Sequence, residues 1–149
     1  MAIMKITTNA IVIIDKFGSI LGCHGYKKPL EGGYDFPKGQ NEQGETDRDA
    51  ALRELREEAG LELEFPETLI DCGIYKHNSE KNIHIFLYQV SEFPDLSLLR
   101  CDSYFIDSFG NTCPEIDGYK IILKSERTKY FYKVLQNKFD LIDSYNGTT

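Results

Sequence analysis

The sequence predicts one mixed α/β domain spanning residues 1–149, and three observations carry that prediction. β-branched runs recur between Gly, Asn and Asp clusters. One segment near the middle changes to the apolar spacing of a helix. No linker, internal repeat or low-complexity block interrupts the chain, and 149 residues suffice for one sizeable core but are tight for two.

Taken in order, "MKITTNAIVIID" reads as a strand bounded by the turn "KFGS", and "ILGCHGY" returns as its hairpin partner. "EGGYDFPKG" holds three glycines and a proline around a short aromatic segment, a brief strand leading into a loop. A helix follows. Thr46 with Asp49 resembles a capping box, Gly60 stands where a C-terminal cap belongs, and Ala51, Leu52, Leu55 and Ala59 form the apolar stripe between them. "TLIDCGIYKH" and "KNIHIFLYQV" read as a second hairpin, joined through "NSE". The next stretch, as far as Gly118, is less regular, with turns and room for a short strand, and "YKIIL" reads as the last strand. In "SERTKYFYKVLQNKF" the spacing of Tyr130, Phe131, Val134 and Leu135 predicts a second helix. From about residue 141 the chain is expected to fray.

The composition narrows the function. A net charge of −7 argues against a long nucleic acid as partner, because a phosphate backbone asks for a basic surface, and it suits a protein that recruits cations to meet an anionic substrate. Cys23, Cys72, Cys101 and Cys113 are scattered without a CxxC pair, which reads as free thiols in a reducing compartment. No apolar run approaches the roughly 18 residues needed to span a bilayer. The expected setting is the cytoplasm, that of the host if the chain is phage-encoded, with no membrane partner.

The segment "FPKGQNEQGETDRDAALRELREEAGLEL" carries the chemistry. Glu54, Glu57 and Glu58 are spaced i, i+3 and i+4, which at about 100° per residue places three carboxylates on one helix face. A glutamate-rich face is most often simply solvated. Carboxylates this close repel one another, however, and a hard divalent cation removes the conflict while bridging to substrate phosphates. The wider spacing decides between the two readings. Gly39, Glu45, Arg53, Glu54, Leu55, Glu57, Glu58, Gly60 and Leu61 fill every position of G-x5-E-x7-R-E-U-x-E-E-x-G-U, where U is aliphatic. At average residue usage such a match arises by chance on the order of 10⁻⁸ times per start position.

This pattern is the Nudix box, and the chain resembles Nudix hydrolases over most of its length. The resemblance implies the Nudix fold, an α/β/α sandwich around a mixed β-sheet, and hydrolysis of a nucleoside diphosphate linked to a further group X with Mg2+ or Mn2+. It implies Glu54, Glu57 and Glu58 as metal ligands, the Gly39 carbonyl as a further ligand, and Arg53 and Glu45 as orienting residues, for which a plain structural salt bridge is the alternative. Gly60 belongs to the motif as a structural cap. No serine or cysteine nucleophile motif competes. Cys23 and His24 are strand neighbours that face opposite sides.

"DFPKG" resembles the same segment of dinucleoside-polyphosphate hydrolases and of some RNA-decapping Nudix enzymes, which implies that Lys38 approaches the phosphates. The resemblance to the dinucleoside-polyphosphate group further implies Tyr75 and Lys81 as substrate-binding residues, Glu115 as a metal-binding or base-like carboxylate and Tyr119 as an adenine-stacking ring. The chain departs from that pattern at Ile116, where a histidine is usual, and at Ile121, where an aromatic is usual. "RC-x-SYF" and "PE-x-D" resemble Nudix hydrolases of T-even-type bacteriophages. The expected substrates are therefore small nucleotides: ADP-ribose, diadenosine polyphosphates and FAD. An RNA 5′-end decapping enzyme and a non-catalytic ADP-ribose or dinucleotide-binding module are the alternatives, and a homodimer is an assembly compatible with the fold.

Overall fold

The computed structural model describes residues 5–147. Met4, the first residue of the expected opening strand, and residues 148 and 149 of the expected tail lie outside them. The first strand, β1 (Ile6–Ile14), turns at Asp15–Gly18 into β2 (Ile20–Gly25). Two short strands follow, β3 (Tyr34–Asp35) and β4 (Lys38–Gln40), then the helix α1 (Asp47–Ala59). β5 (Ile70–Lys76) and β6 (Lys81–Gln89) form the second hairpin. The irregular region contains two strands rather than one: β7 (Tyr104–Ile106) and β8 (Thr112–Pro114), paired only with each other. β9 (Ile116–Ile122) starts three residues earlier than the "YKIIL" pattern suggests, because its first half pairs with the end of β2.

The main sheet is mixed. β1 pairs in parallel with β6 from Ile6↔Lys81 to Ile14↔Gln89, while its other edge is divided between β4 (Thr8–Ala10) and β2 (Ile14↔Ile20), both antiparallel. β2 carries β3 and β9, and β5 closes the far edge. Both faces are covered, which is why β1 and β6 read as almost unbroken apolar runs. Ala10, Val12, Ile14, Ile83, Ile85 and Leu87 belong to a core shared with the C-terminal segment. Ile11, Ile13, Phe86 and Tyr88 belong to a second core, built with Ala51, Leu55 and Ala59 of α1. Helical layers thus sandwich the sheet.

The C-terminal segment differs from the expected single helix over 125–139. After a 3₁₀ turn the chain forms only one α turn, α2 (Arg127–Tyr130), and Phe131 is extended at φ −77°, ψ 150°. Burial explains the break. The Phe131 ring is sunk between Phe36 and Phe139, with centroids 5.3 Å from each, and the Tyr132 amide donates to the Tyr34 carbonyl at 2.9 Å. Four apolar residues at helical spacing are therefore divided between two elements, and Val134 of that stripe is exposed. A 3₁₀ stretch (Lys133–Lys138) leads into α3 (Phe139–Asn146), capped by Gly147 at φ 74°. The expected fraying from residue 141 is corrected for residues 141–146: Ile142 is buried, and Asp143 receives both terminal nitrogens of the buried Arg127 at 2.7 and 2.8 Å.

Candidate active site

The start of α1 is set by Thr46, whose hydroxyl accepts from the Asp49 amide at 3.1 Å, and its end by Gly60 in the left-handed region at φ 68°. Asp47 does not stay in solvent. It meets His84 Nδ1 at 2.7 Å, and His84 Nε2 meets Asp71 at 2.7 Å, which fastens the first turn of α1 to β6 and β5. Helix phase then presents Glu54 and Glu58 beside β4, with Leu55 and Ala59 in the core, while Glu57 is bonded to Arg53 and lines neither of the two clefts that open there.

Arg53 is the hub of the site. It grips Glu45 with Nε and Nη2 at 2.9 and 3.0 Å, donates to the Gln40 carbonyl at 2.9 Å, and reaches Glu54 and Glu57 through Nη1 at 2.9 and 3.1 Å. These bonds tie the loop before α1 to the helix. Gly39 is required by proximity, since a Cβ there would lie 2.2 Å from Glu54 Cδ. Its carbonyl accepts from Asn9 Nδ2 at 3.1 Å; the same nitrogen donates to Asn41 at 2.8 Å.

Burial and mutual repulsion both act against ionisation of Glu54 and Glu58. Burial raises the Glu54 pKa, the Arg53 contacts oppose that rise, and Glu57 and Glu115 add to it. Glu58 is pushed up to about 9, first by burial and next by Glu54, against one Lys38 amide donated to its Oε1 at 3.2 Å. Among the described residues no three His, Cys, Asp or Glu side chains form a closed ligand group. The donors are nevertheless all hard oxygens, and Glu54, Glu58 and Glu115 line open clefts. That donor set fits Mg2+ or Mn2+, which keep waters and substrate oxygens in their shell.

Two adjoining clefts open at this helix face. One, of about 410 Å³, is lined by Lys38, Gly39, Arg53, Glu54, Lys81 and Glu115. The other, of about 260 Å³, is lined by Tyr26, Lys38, Glu58, Phe105, Glu115 and Tyr132, among others. Glu115, far from α1 in sequence, is delivered by the loop between β8 and β9, where its amide donates to the Ser103 carbonyl at 2.9 Å. Lys38 is paired with Asp35.

Two of the expected substrate residues stand elsewhere. Tyr75 packs against the core on the C-terminal face and donates its hydroxyl to the Cys72 carbonyl. Tyr119 packs behind α1 and donates its hydroxyl to the Glu58 carbonyl at 2.5 Å. Neither lines either cleft. Cys23, buried beside Glu58 and Asp35, has its thiol pKa raised by that burial, which leaves it no nucleophile. Sequence reasoning also passed over Asn9, although a buried amide in an otherwise apolar strand is a legible signal, and over Tyr26 and Tyr132, which carry no motif; Phe105 stood in the "RC-x-SYF" segment without a role assigned to it.

A mixed sheet between helical layers, with a carboxylate-rich helix beside a glycine loop, is the architecture of a Nudix domain. The Nudix-domain family model matches residues 4–101, and the chain belongs to the Nudix-domain family. An uncharacterised 17.7 kDa protein from the e-segB intergenic region of enterobacteria phage T4 is 32% identical over 112 residues, covering 71% of this chain and 74% of that protein. The Nudix domain of Shewanella oneidensis NrtR, solved with ADP ribose, superposes with a TM-score of 0.69 at 9% identity, over 97% of this chain and 90% of that one. An Ap4A hydrolase of C. elegans superposes with a TM-score of 0.65 at 18% identity, over 95% and 98%.

Proposed function

We propose that this chain is a Mg2+- or Mn2+-dependent pyrophosphohydrolase acting on small nucleoside diphosphate-X compounds: ADP-ribose, diadenosine polyphosphates and FAD. One observation carries the reading. Glu54, Glu58 and Glu115 open onto the same pair of clefts as Lys38 and Lys81, with Glu57 joined to Glu54 through Arg53. Cationic side chains beside a cluster of acids suit an anionic substrate that arrives with a cation. The ADP-ribose complex and the Ap4A hydrolase among the structural relatives are consistent with this substrate class.

Glu54, Glu57, Glu58 and Glu115, with the Gly39 carbonyl, would hold the cation, which supplies charge neutralisation of the phosphates and a more acidic water. Lys38 and Lys81 offset the remaining phosphate charge and orient the chain of phosphates. Arg53 and Glu45 fix the loop against the helix so that the carboxylates do not drift. Water adds to one phosphorus, the bridging P–O bond breaks, and the proton lost by water passes to a carboxylate of the cluster. ADP-ribose would yield AMP and ribose 5-phosphate.

The test is a substrate panel with Mg2+ and with Mn2+ and identified products, repeated with Glu57→Gln. The variant is expected to fold normally and to lose turnover by orders of magnitude, since an amide does not replace a charged ligand. Near-wild-type turnover in a folded Glu57→Gln protein refutes the reading.

A further inference from the structure

The smaller cleft carries aromatic rings that the phosphate chemistry does not use. Tyr26 leaves the end of β2, and Phe105 lies at the centre of β7; their rings meet edge to face, with centroids 6.2 Å apart at 67°. The Tyr132 ring lines the same space. Lys38, Glu58 and Glu115 line the same cleft. A group stacked on the rings would therefore lie beside the charged side chains of the site.

The backbone is bent to make this arrangement. β2 is irregular at His24/Gly25, and Lys27 takes φ 59°, the one described non-glycine residue in the left-handed region. Such strain persists only where the surroundings over-determine it. Here His24 is bonded to Asp117, and the Tyr26 amide donates to the Glu115 carbonyl at 3.1 Å, so the ring of Tyr26 is positioned from the residue that also places a carboxylate. The partner ring sits on the β7–β8 hairpin, which pairs with no strand of the main sheet. Phe105 remains 40% exposed there. It can exchange its edge-to-face contact for stacking on a ligand without breaking the main sheet.

We propose that the cleft between Tyr26 and Phe105 is the nucleobase subsite, in which the base of the nucleoside diphosphate half stacks on Phe105 against Tyr26, in place of the Tyr75 and Tyr119 rings. This assignment rests on the reading of the site as a nucleotide hydrolase. The space, about 260 Å³, falls just below the range of about 300–1,000 Å³ that takes a whole small molecule, and fits one ring system with the remainder of the substrate outside. Stacking on an aromatic face accepts any base and rejects a group X that lacks one.

The chain has no tryptophan, so F105W gives a single reporter at the proposed stack. AMP should quench its fluorescence, and ribose 5-phosphate, with the same phosphate and no base, should not. With ADP-ribose as substrate, Phe105→Ala and Tyr26→Ala should each raise KM by about 5- to 100-fold with kcat nearly unchanged, the range expected for one stacked base. Phe109→Ala, at the exposed hairpin tip, should behave as wild type. Equal quenching by ribose 5-phosphate, or unchanged KM in both alanine variants of an active enzyme, overturns the subsite while leaving the hydrolase reading intact. AMP-specific quenching in a protein that hydrolyses no nucleotide would instead support the subsite and remove the hydrolase reading.

Discussion

Glu58→Gln is expected to stabilise the cation-free protein while damaging its activity. The Glu58 carboxyl is buried, and its pKa is pushed up to about 9 from an ordinary 4.5. In the folded state it keeps its proton at neutral pH; in the unfolded chain it loses it. The folded state therefore binds more protons, and stability falls as pH rises from 4.5 toward 9. Each pH unit in that window costs about 1.4 kcal/mol, so at pH 7 the penalty is about 3 kcal/mol, and at pH 5 it is below about 1 kcal/mol. Glutamine has no proton to lose, and its oxygen can still accept the Lys38 amide. Urea unfolding followed by circular dichroism in EDTA should show the variant midpoint above wild type by about 1–2 M at pH 7, with the gap nearly closed at pH 5. Added Mg2+ should narrow the gap, because the cation relieves the charge only in wild type. A midpoint that does not move, or that moves equally at both pH values, refutes the argument.

Gly39→Ala should push Glu54 out of place, since the new Cβ would stand 2.2 Å from its Cδ; overpacking of this kind costs about 1–3 kcal/mol, and thermal melts paired with kcat should show a modest loss of stability beside a large loss of rate. Arg127→Ala should cost about 3 kcal/mol in chemical denaturation, because it removes the buried guanidinium that holds Asp143 at 2.7 and 2.8 Å and the Gly18 carbonyl at 2.7 Å, while Lys124 stays 3.5 Å from Asp143. Glu115→Gln should lower the rate and raise the cation concentration needed for half-maximal activity, without a change in melting temperature, as Glu115 is solvent-exposed at the cleft. An unchanged cation dependence would remove Glu115 from the site.

The helix was legible because caps and an apolar stripe fall at fixed spacing on a rigid element: Thr46 and Gly60 stand at its ends, and Ala51, Leu55 and Ala59 are buried, as the pattern implies. The strands were legible from their apolar runs, but their order was not, since parallel pairing of β1 with β6 depends on contacts distant in sequence. The C-terminal segment misled because Tyr130, Phe131, Val134 and Leu135 satisfy helical spacing, while the space between Phe36 and Phe139 draws Phe131 out of the helix. Tyr75 and Tyr119 were placed by resemblance to a motif, and no local pattern announces that their hydroxyls are used by the Cys72 and Glu58 carbonyls. Glu115 lines the cleft with Glu54 although no local pattern points there, because the step from β8 to β9 carries it to α1 from a distant part of the chain.

The parallel β1–β6 ladder also governs how the protein is made. Its partners, Ile6 with Lys81 and Ile14 with Gln89, are 75 positions apart, and α1 lies within the loop they close. Such a closure loses chain entropy before its contacts return any, which places it among the slow steps of folding. During synthesis α1 can coil as soon as it emerges, but its apolar stripe has no finished floor until Phe86 and Tyr88 of β6 arrive. The acids of the helix are thus brought against β4 late, by the same event that completes the sheet. Substitutions in β6 that touch no substrate should accordingly appear first as slow maturation of activity.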